Sequence, residues 1–407
     1  MTRISPSFAD ITTMRVGGSI ARFVEPRSRV GMIEAVEDAD SAHLPLCVIG
    51  GGSNLLASDT PFEGVVVRDA RRNIDVLDQA APREGNDLTV HVNATAGTNW
   101  DDFVDFCVRM GLQGVEGLSG IPGTVGASVV QNIGAYGQEV GAEVEAVEVW
   151  DRLEKKTMTL PAADMGFGYR TSALKKSMYD APGRPAESFF PTPRFVVLSV
   201  TFALKHSAGG RVDFAQLAGA LGVDVGAQME TSVIRAAVLS VRARKGMLED
   251  PGRYDTLWMK GTKQSVEAKA DAEGSGDGDA STMVSDSSVP DYDRWSCGSF
   301  FINPVLSADQ AAVLPQEAPR FAIAEAQGGS SVKTSAAWLI DHAGFHKGYP
   351  RERNAQAKAT LSTKHTLALT NRGAATAADV IALADEVRVG VKRAFGIELV
   401  PEPVILH

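Results

Sequence analysis

The chain has 407 residues, with 50 Asp and Glu against 40 Lys and Arg, a net charge of -10 and 44% apolar residues. The length exceeds one average domain and points to two or three, and the apolar share is ordinary for a globular protein with an adequate core. The acidic balance argues against a general nucleic-acid surface, although it leaves room for a local basic pocket that takes an anionic ligand. Met1-Thr2-Arg3-Ile4-Ser5-Pro6 lacks the apolar core of a signal peptide, and no later segment approaches the apolar length that spans a bilayer. A cytoplasmic protein without membrane insertion is expected. Cys47, Cys107 and Cys297 are odd in number, widely spaced and set in apolar surroundings. They read as reduced core residues, and neither they nor the histidines have metal-ligand spacing, so no metal is expected.

In chain order, Ala21-Arg22-Phe23-Val24-Glu25-Pro26 reads as a strand, and Val30 to Ala39 carries Val30, Ile33, Val36 and Glu37 at helical spacing. A strand at 46–49, a loop Gly50-Gly51-Gly52-Ser53-Asn54 and a strand at 65–67 complete a small β-α-β-β unit, which places a first subdomain at residues 1–72. A strand at 90–94 leads to Thr98 or Asn99 as cap of a helix from Trp100 to Met110, with Gly111 as its stop. A glycine-rich stretch follows, read as a double turn, and then strands at 144–150 and 195–202. Strands outnumber helices, so the class is α+β rather than doubly wound, with a second subdomain at 73–205. Residues 173–194 hold several prolines and aromatics without a period and read as a loop excursion. In the remaining region, 206–407, residues 261–290 are rich in Gly, Ser and Asp and read as a disordered surface insertion. A helix at 336–344 with a glycine stop, a strand at 366–370 and a long helix over 380–395 ended by Gly396 close the chain.

Two glycine stretches carry most of the chemistry. Ile49-Gly50-Gly51-Gly52-Ser53-Asn54 offers backbone N–H, hydroxyl and amide donors in one nest, suited to a diphosphate. It does not open a helix as G-x-G-x-x-G does, and no Lys-Ser/Thr follows as in a P-loop. Gly120-Ile121-Pro122-Gly123-Thr124-Val125-Gly126-Ala127, continued by Gln131-Asn132-Ile133-Gly134-Ala135-Tyr136-Gly137, leaves backbone bare enough to press on a phosphate or a flat ring. Either stretch alone is equally a turn between core elements.

Together they resemble the flavin-binding part of the UDP-N-acetylenolpyruvoylglucosamine reductase family. The resemblance continues through Thr13-Met14-Arg15-Val16-Gly17-Gly18, Gly168-Tyr169-Arg170-Thr171-Ser172, Arg242-Ala243-Arg244-Lys245-Gly246-Met247, Gly298-Ser299-Phe300-Phe301-Ile302-Asn303-Pro304 and Pro401-Glu402-Pro403, in the family's order over nearly the whole chain. It implies a two-part FAD-binding domain of the vanillyl-alcohol-oxidase/PCMH type, followed by a smaller α+β substrate-binding domain. FAD is implied at Gly50, Gly51, Gly52, Ser53, Asn54, Gly120, Gly123, Thr124, Gly126 and Ala127. It is expected to be noncovalent, since His43 near the first loop gives no reason for an attachment. NADPH is the implied co-substrate, and the substrate is a UDP-N-acetylglucosamine enolpyruvyl ether. No nucleic acid and no obligate protein partner are expected.

On their own, Ser299 reads as a turn serine, Arg170 as a solvated arginine beside a packed tyrosine, and Lys245 and Glu402 as surface charges. No Gly-x-Ser-x-Gly elbow supports a hydrolase nucleophile. The resemblance implies otherwise: Ser299 as the acid that protonates the substrate carbon, Arg170 on the substrate carboxylate, and Glu402 beside it at the enol end. Tyr169, Lys245 and Asn303 are implied to contact substrate. Ile302 departs from the family, where a polar residue is common. Residues 173–194 are the loose counterpart of a segment that in some members closes over substrate. Two alternatives stand beside this reading. A different flavin oxidoreductase would lack the C-terminal blocks, and a noncatalytic binder would tolerate loss of Ser299.

Overall fold

Two sheets of different kinds fill the first half of the chain, and a third core fills the end. The structure is a computed structural model that describes residues 5–78, 87–180, 193–207, 209–264, 290–324 and 330–406. The segment 181–192 of the expected loop excursion and 265–289 of the low-complexity stretch lie outside the described residues.

The first unit runs β1 (Ile20–Val24), α1 (Arg29–Ser41), β2 (Leu46–Ile49), β3 (Leu55–Ala57) and β4 (Phe62–Arg68). β1, β4 and β2 pair in parallel in that order, with Val66 of β4 opposite Phe23 on one side and Cys47 on the other. Strand alternation explains why all of Val65, Val66 and Val67 are apolar. Val65 and Val67 pack with Met32, Val36 and Ala39 of α1, while Val66 joins Phe8, Phe62, Tyr254 and Met259 on the opposite face. The inward face of α1 is therefore Met32, Ala35, Val36 and Ala39; of the residues read at helical spacing, Val36 is buried and Ile33 packs beside it, while Val30 is 60% exposed. The small alanines let α1 lie close to β4.

The second unit comprises β5 (Ile74–Val76), β6 (Thr89–Thr95), α2 (Trp100–Arg109), α3 (Val125–Gln131), β7 (Val144–Asp151), β8 (Lys156–Pro161), α4 (Ala173–Asp180) and β9 (Phe195–His206). Its strands form an antiparallel sheet in the order β8-β7-β9-β6-β5. Val90, Val92 and Ala94 of β6 and Val200, Phe202 and Leu204 of β9 point to one face at period two. There they meet Trp100, Phe103, Val104 and Cys107 of α2, with the Phe103 and Phe202 ring centroids 4.5 Å apart. Rings buried this fully each stabilise a core by about 3–5 kcal/mol relative to alanine. Asn99 caps α2, its Oδ1 accepting from the N–H groups of Asp101 (3.0 Å) and Asp102 (3.2 Å), and Gly111 at φ +70° follows the end.

The glycine-rich stretch contains a helix where a double turn was expected. Thr124 begins α3, Asn132 at φ +48° ends it, and Val125 and Val129 are its buried anchors. Gly126 is required here, because a Cβ would lie 2.7 Å from Ala96 Cβ. Residues 173–180, expected as loop, form α4, with Ser172 Oγ accepting from Lys175 N–H (3.1 Å) and Leu174 buried in the core. Such short helices take their stability from docking, which propensity does not display.

After α5 (Thr231–Arg244), the C-terminal region has β10 (Val305–Leu306), β11 (Phe321–Ala324) and β12 (Ser330–Lys333) in the antiparallel order β10-β12-β11. α6 (Ala336–His342), the hairpin β13 (Ala359–Leu361) and β14 (Leu369–Asn371), and α7 (Ala377–Phe395) close around Phe300, Phe301, Leu339, Leu361, Val380, Leu383 and Val387. α7 has a Thr376/Asp379 capping box and ends at Gly396 with φ +69°. The strand expected at 366–370 starts later, at Leu369. Ser362 Oγ and His365 Nδ1 accept backbone N–H groups of Lys364, His365 and Leu367, which holds 362–367 as a turn. The last strand, β15 (Val404–Leu406), leaves this region and pairs in parallel with β3. Cys47, Cys107 and Cys297 are all buried and free. Among the described residues no helix is long and apolar enough to cross a membrane.

Candidate active site

The site begins with backbone pairing. Ile302 N–H donates to Val400 O (3.0 Å) and Glu402 N–H to Phe300 O (2.9 Å), so Pro401 lies opposite Phe301. Two residues on, Val404 N–H donates to Asn54 O (2.9 Å) as β15 joins β3. Glu402 is thus fixed between the strand after Ser299 and the Gly50–Asn54 loop. Ser299 follows Gly298, at φ +75°, and the next residue, Phe300, donates its N–H to Leu367 O (2.8 Å). Arg170 sits at φ +54° in a turn whose ends, Gly168 and Thr171, exchange both backbone bonds at 3.1 Å. That left-handed backbone at a non-glycine residue aims the guanidinium and is a strained arrangement of the sort that clusters at functional sites.

Arg170 Nε lies 3.1 Å from Glu402 Oε1, while Nη2 donates to Gly134 O (2.7 Å) and Nη1 to Asn132 O (3.4 Å). A guanidinium has five N–H groups, so one remains on each Nη nitrogen, a pair suited to a planar carboxylate. Ser299, Arg170, Lys245 and Glu402 line one cleft, together with Ser53, Asn54, Gly123, Thr124 and Ala127. Its charged walls are Arg170, Arg242, Lys245 and Arg294 against Glu249 and Glu402, so an acidic chain has built a locally basic pocket. Ser299 Oγ engages no described residue.

Gly50, Gly51, Gly52 and Gly126 line a second, more apolar cleft, which shares Ser53, Asn54, Thr124, Ala127 and Gln131 with the first. The two glycine stretches meet backbone to backbone. A Cβ on Gly51 would lie 2.8 Å from Gly123 Cα, and one on Gly50 would lie 2.5 Å from Thr124 Oγ1. Ser53 Oγ donates to Pro122 O (2.8 Å) and closes the join. No described residue accepts from the N–H groups of Gly51, Gly52, Ser53 or Asn54. A nest of unpaired amides beside apolar walls fits a dinucleotide whose diphosphate takes the amides and whose flat ring lies in the cleft.

Three expected residues stand outside both walls. Gly120, at φ +68°, packs against Leu239 and Leu248, donates its N–H to Asp101 (2.7 Å) and accepts from Arg242 Nε (3.1 Å). It positions the stretch. Burial opposes charge on Asp101, but Lys263, Arg235 and the Gly120 N–H prevail and hold its pKa at about 2. Tyr169 OH meets Asn303 N–H at 3.4 Å, and Asn303 Oδ1 accepts from Ala336 N–H (2.9 Å) at the start of α6. Burial raises the Tyr169 phenol, with Arg170 working the other way. Lys245 Nζ donates to Gln216 Oε1 (2.8 Å), and burial, then Arg242, lowers its pKa.

Sequence reasoning did not single out Gln131 or Lys175, and it took His365 for a structural residue. Gln131 Nε2 donates to Glu402 Oε1 (3.1 Å), and Lys175 Nζ donates to Gln131 Oε1 (2.7 Å). His365 lines the cleft with Ser299, and its Nδ1 accepts from Leu367 N–H (3.0 Å), so Nε2 carries the proton. Burial first, then the charges of Lys245 and Lys347, lowers its pKa to about 4 and keeps it neutral at pH 7. Gln131 lay within the quoted glycine block, overshadowed by its glycines. Lys175 fell in a stretch read as loop.

Comparison with known proteins identifies the family. Residues 20–155 match an FAD binding domain family, and residues 290–406 match the family described as UDP-N-acetylenolpyruvoylglucosamine reductase, C-terminal domain. A UDP-N-acetylenolpyruvoylglucosamine reductase of Thermobifida fusca is 42% identical over 405 residues, covering 98% of this chain and 96% of that protein. Proteins of the same name from Cutibacterium acnes and Mycobacterium avium are each 39% identical, covering 98% of this chain and 88% and 93% of their own lengths. The crystal structure of the Thermus caldophilus reductase superposes with a TM-score of 0.55 at 23% identity, covering 99% of this chain and 98% of that one, a likeness of fold.

Two expectations follow. Gly51→Ala forces its Cβ onto Gly123, an overpacking of about 1–3 kcal/mol, and is expected to weaken FAD binding about tenfold or more with an unchanged circular dichroism spectrum. Wild-type affinity in a flavin titration would show that this contact does not set the cradle. His365 is protonated more readily unfolded than folded, so its contribution to stability, complete above pH 6.5, falls by up to about 3 kcal/mol as pH drops toward 4. His365→Gln is expected to flatten that part of the melting-temperature profile, and an unaltered slope would show that the imidazole is not held neutral.

Proposed function

The chain belongs to the UDP-N-acetylenolpyruvoylglucosamine reductase family, and from that membership we propose which of its residues bind, orient and protonate the substrate. It is an FAD-dependent oxidoreductase that uses NADPH to reduce the enolpyruvyl ether of UDP-N-acetylglucosamine to UDP-N-acetylmuramate, a step in peptidoglycan precursor synthesis. FAD, when bound, supplies the two-electron chemistry that carries hydride from NADPH to C3 of the enolpyruvyl group.

The bare amides of Gly51 to Asn54 and the backbone around Gly123, Thr124 and Ala127 hold the diphosphate side of FAD noncovalently, in a site built by residues 1–72 and 73–205. The region 206–407 supplies Lys245, Ser299 and Glu402. Arg170 takes the substrate carboxylate with its two remaining Nη protons. As hydride reaches C3, negative charge grows at C2 and spreads into that carboxylate, where Arg170 stabilises it. Glu402 holds the other edge of Arg170 at Nε and so fixes the plane of the fork. Ser299 delivers its proton to C2, completing the lactyl ether. A hydroxyl is a weak acid, so it suits a carbanion-like acceptor and little else. Lys245, on the basic side of the cleft, faces the anionic part of the nucleotide sugar, and Tyr169 and Asn303 support the wall beside Arg170. The protein works in the cytoplasm on small molecules, without nucleic acid or an obligate protein partner.

The observation that carries this reading is the convergence of Ser299, Arg170, Lys245 and Glu402, from four separate parts of the sequence, on one cleft. Ser299→Ala tests it by separating the half-reactions. Flavin reduction by NADPH needs no proton at carbon and is expected near the wild-type rate, while reoxidation by the enolpyruvyl substrate slows about 10²–10⁴-fold. Stopped-flow absorbance resolves the two, and unimpaired reoxidation would remove Ser299 from the role of acid.

A further inference from the structure

We propose that Lys175 is a positioning residue for this reduction, fixing the side-chain amide of Gln131 and through it the carboxylate of Glu402. The proposal rests on the role given to Glu402 above.

Lys175 follows Leu174, whose buried side chain docks α4 on the core of the antiparallel sheet, and its own N–H is held by Ser172 Oγ. It reaches back to Gln131, the last residue of α3, with Nζ 2.7 Å from the amide oxygen and 3.4 Å from Arg170 O. A lysine ammonium only donates, whereas a glutamine has both an acceptor end and a donor end. The atom 2.7 Å from Nζ is therefore the oxygen, and the planar amide must turn its NH₂ the other way, toward Glu402 Oε1 at 3.1 Å. Oε1 also meets Arg170 Nε at 3.1 Å. Two donors thus converge on one carboxylate oxygen and set the rotation of the group.

Without Lys175 the amide loses its orientation. Turned over, it would set its oxygen against Glu402 Oε1, an acceptor against an acceptor, and the carboxylate would swing or take water instead. Arg170 would then lose the partner that fixes its fork. Lys175 also lines the cleft assigned to FAD, so a lysine that simply holds the cofactor is the competing account. The two differ in which other residue the effect depends on.

The test uses FAD-loaded wild-type protein, Lys175→Met, Glu402→Gln and the double variant. Each is reduced with NADPH and mixed with the enolpyruvyl UDP-sugar in a stopped-flow instrument, with FAD affinity titrated separately. Lys175→Met is expected to slow reoxidation about tenfold, and to add less than about twofold in the Glu402→Gln background, because both changes remove one coupled arrangement. FAD affinity and flavin reduction are expected to stay near wild type. Gln131→Met, which breaks the relay at its middle, is expected to reproduce the slow reoxidation and serves if Lys175→Met does not fold. The same penalty from Lys175→Met in both backgrounds, or a loss of FAD affinity large enough to explain it, overturns this proposal alone. A wild-type reoxidation rate in Glu402→Gln overturns the reading of Glu402 and this proposal with it.

Discussion

The last seven residues described connect the two ends of the enzyme. Val400 and Glu402 bond the backbone on either side of Phe301, and Val404 to Leu406 then add a parallel strand to Leu55–Ala57. A parallel pair needs its partner delivered from a distance in sequence, since no tight turn can make one. Here the partner is delivered by the whole C-terminal core, and the delivery fixes where that core sits. Glu402 ends the first pairing, and only Pro403 separates it from Val404, where the second begins, so it has no freedom to sit elsewhere. The other end of the chain closes the same ring. Thr13 donates N–H to Gly52 O (3.0 Å) and Oγ1 to Ser296 O (2.7 Å), while Asn371 Nδ2 reaches Met14 O and Arg15 O at 3.1 Å each. The cleft is therefore a seam whose walls are held by main-chain bonds, which position side chains more tightly than surface ion pairs do.

Glycine serves two ends within this seam. At Gly51 and Gly126 its absent side chain permits backbone-to-backbone or helix-to-backbone approach, and at Gly120 it permits a left-handed turn under two leucines. Of the three, only Gly51 has an N–H that no described residue accepts, because Gly126 N–H donates to Ala96 O (2.9 Å). From the sequence the two uses look alike, which is why Gly120 read as a cofactor contact although its N–H belongs to Asp101.

Legibility followed the same division. The strands at 46–49 and 144–150 and the helix ending at Gly396 were readable because period, cap and stop residue agreed along a local stretch. α3 and α4 were not, because each is short and owes its existence to surfaces supplied from elsewhere, Ala96 for α3 and the core around Leu174 for α4. The inward face of α1 was read only in part for a related reason: Val36 and Ile33 belong to it, and Val30 does not. Val30 fits the helical period, but the groove over β4 accepts the alanine-rich side. Among site residues, Ser299, Arg170 and Glu402 stood out through the family motifs in which they lie, and composition alone would have left them as a turn serine and two surface charges. Gln131 and Lys175 carry no motif of their own. Their role consists of a hydrogen-bond relay between two elements that do not look like elements in the sequence.

The charges of the cleft then fall into an order set by what holds each one. Arg170 has three of its five donors committed to the protein and two left for an anion. Lys245 is partly desolvated, with its pKa lowered by burial and by Arg242, and so gains more from a ligand's negative charge than a solvated lysine would. His365, kept neutral by burial and by the same lysine, adds an N–H donor without a third positive charge. Burial is the larger cause, so an anion beside Lys245 would relieve only the smaller, repulsive part of that effect. Ser299 Oγ engages no described residue and, on the proposed reading, is left to the substrate. On that reading, a weak acid with no acceptor among the described residues keeps its proton until a strongly basic carbon appears at C2, after hydride has arrived at C3.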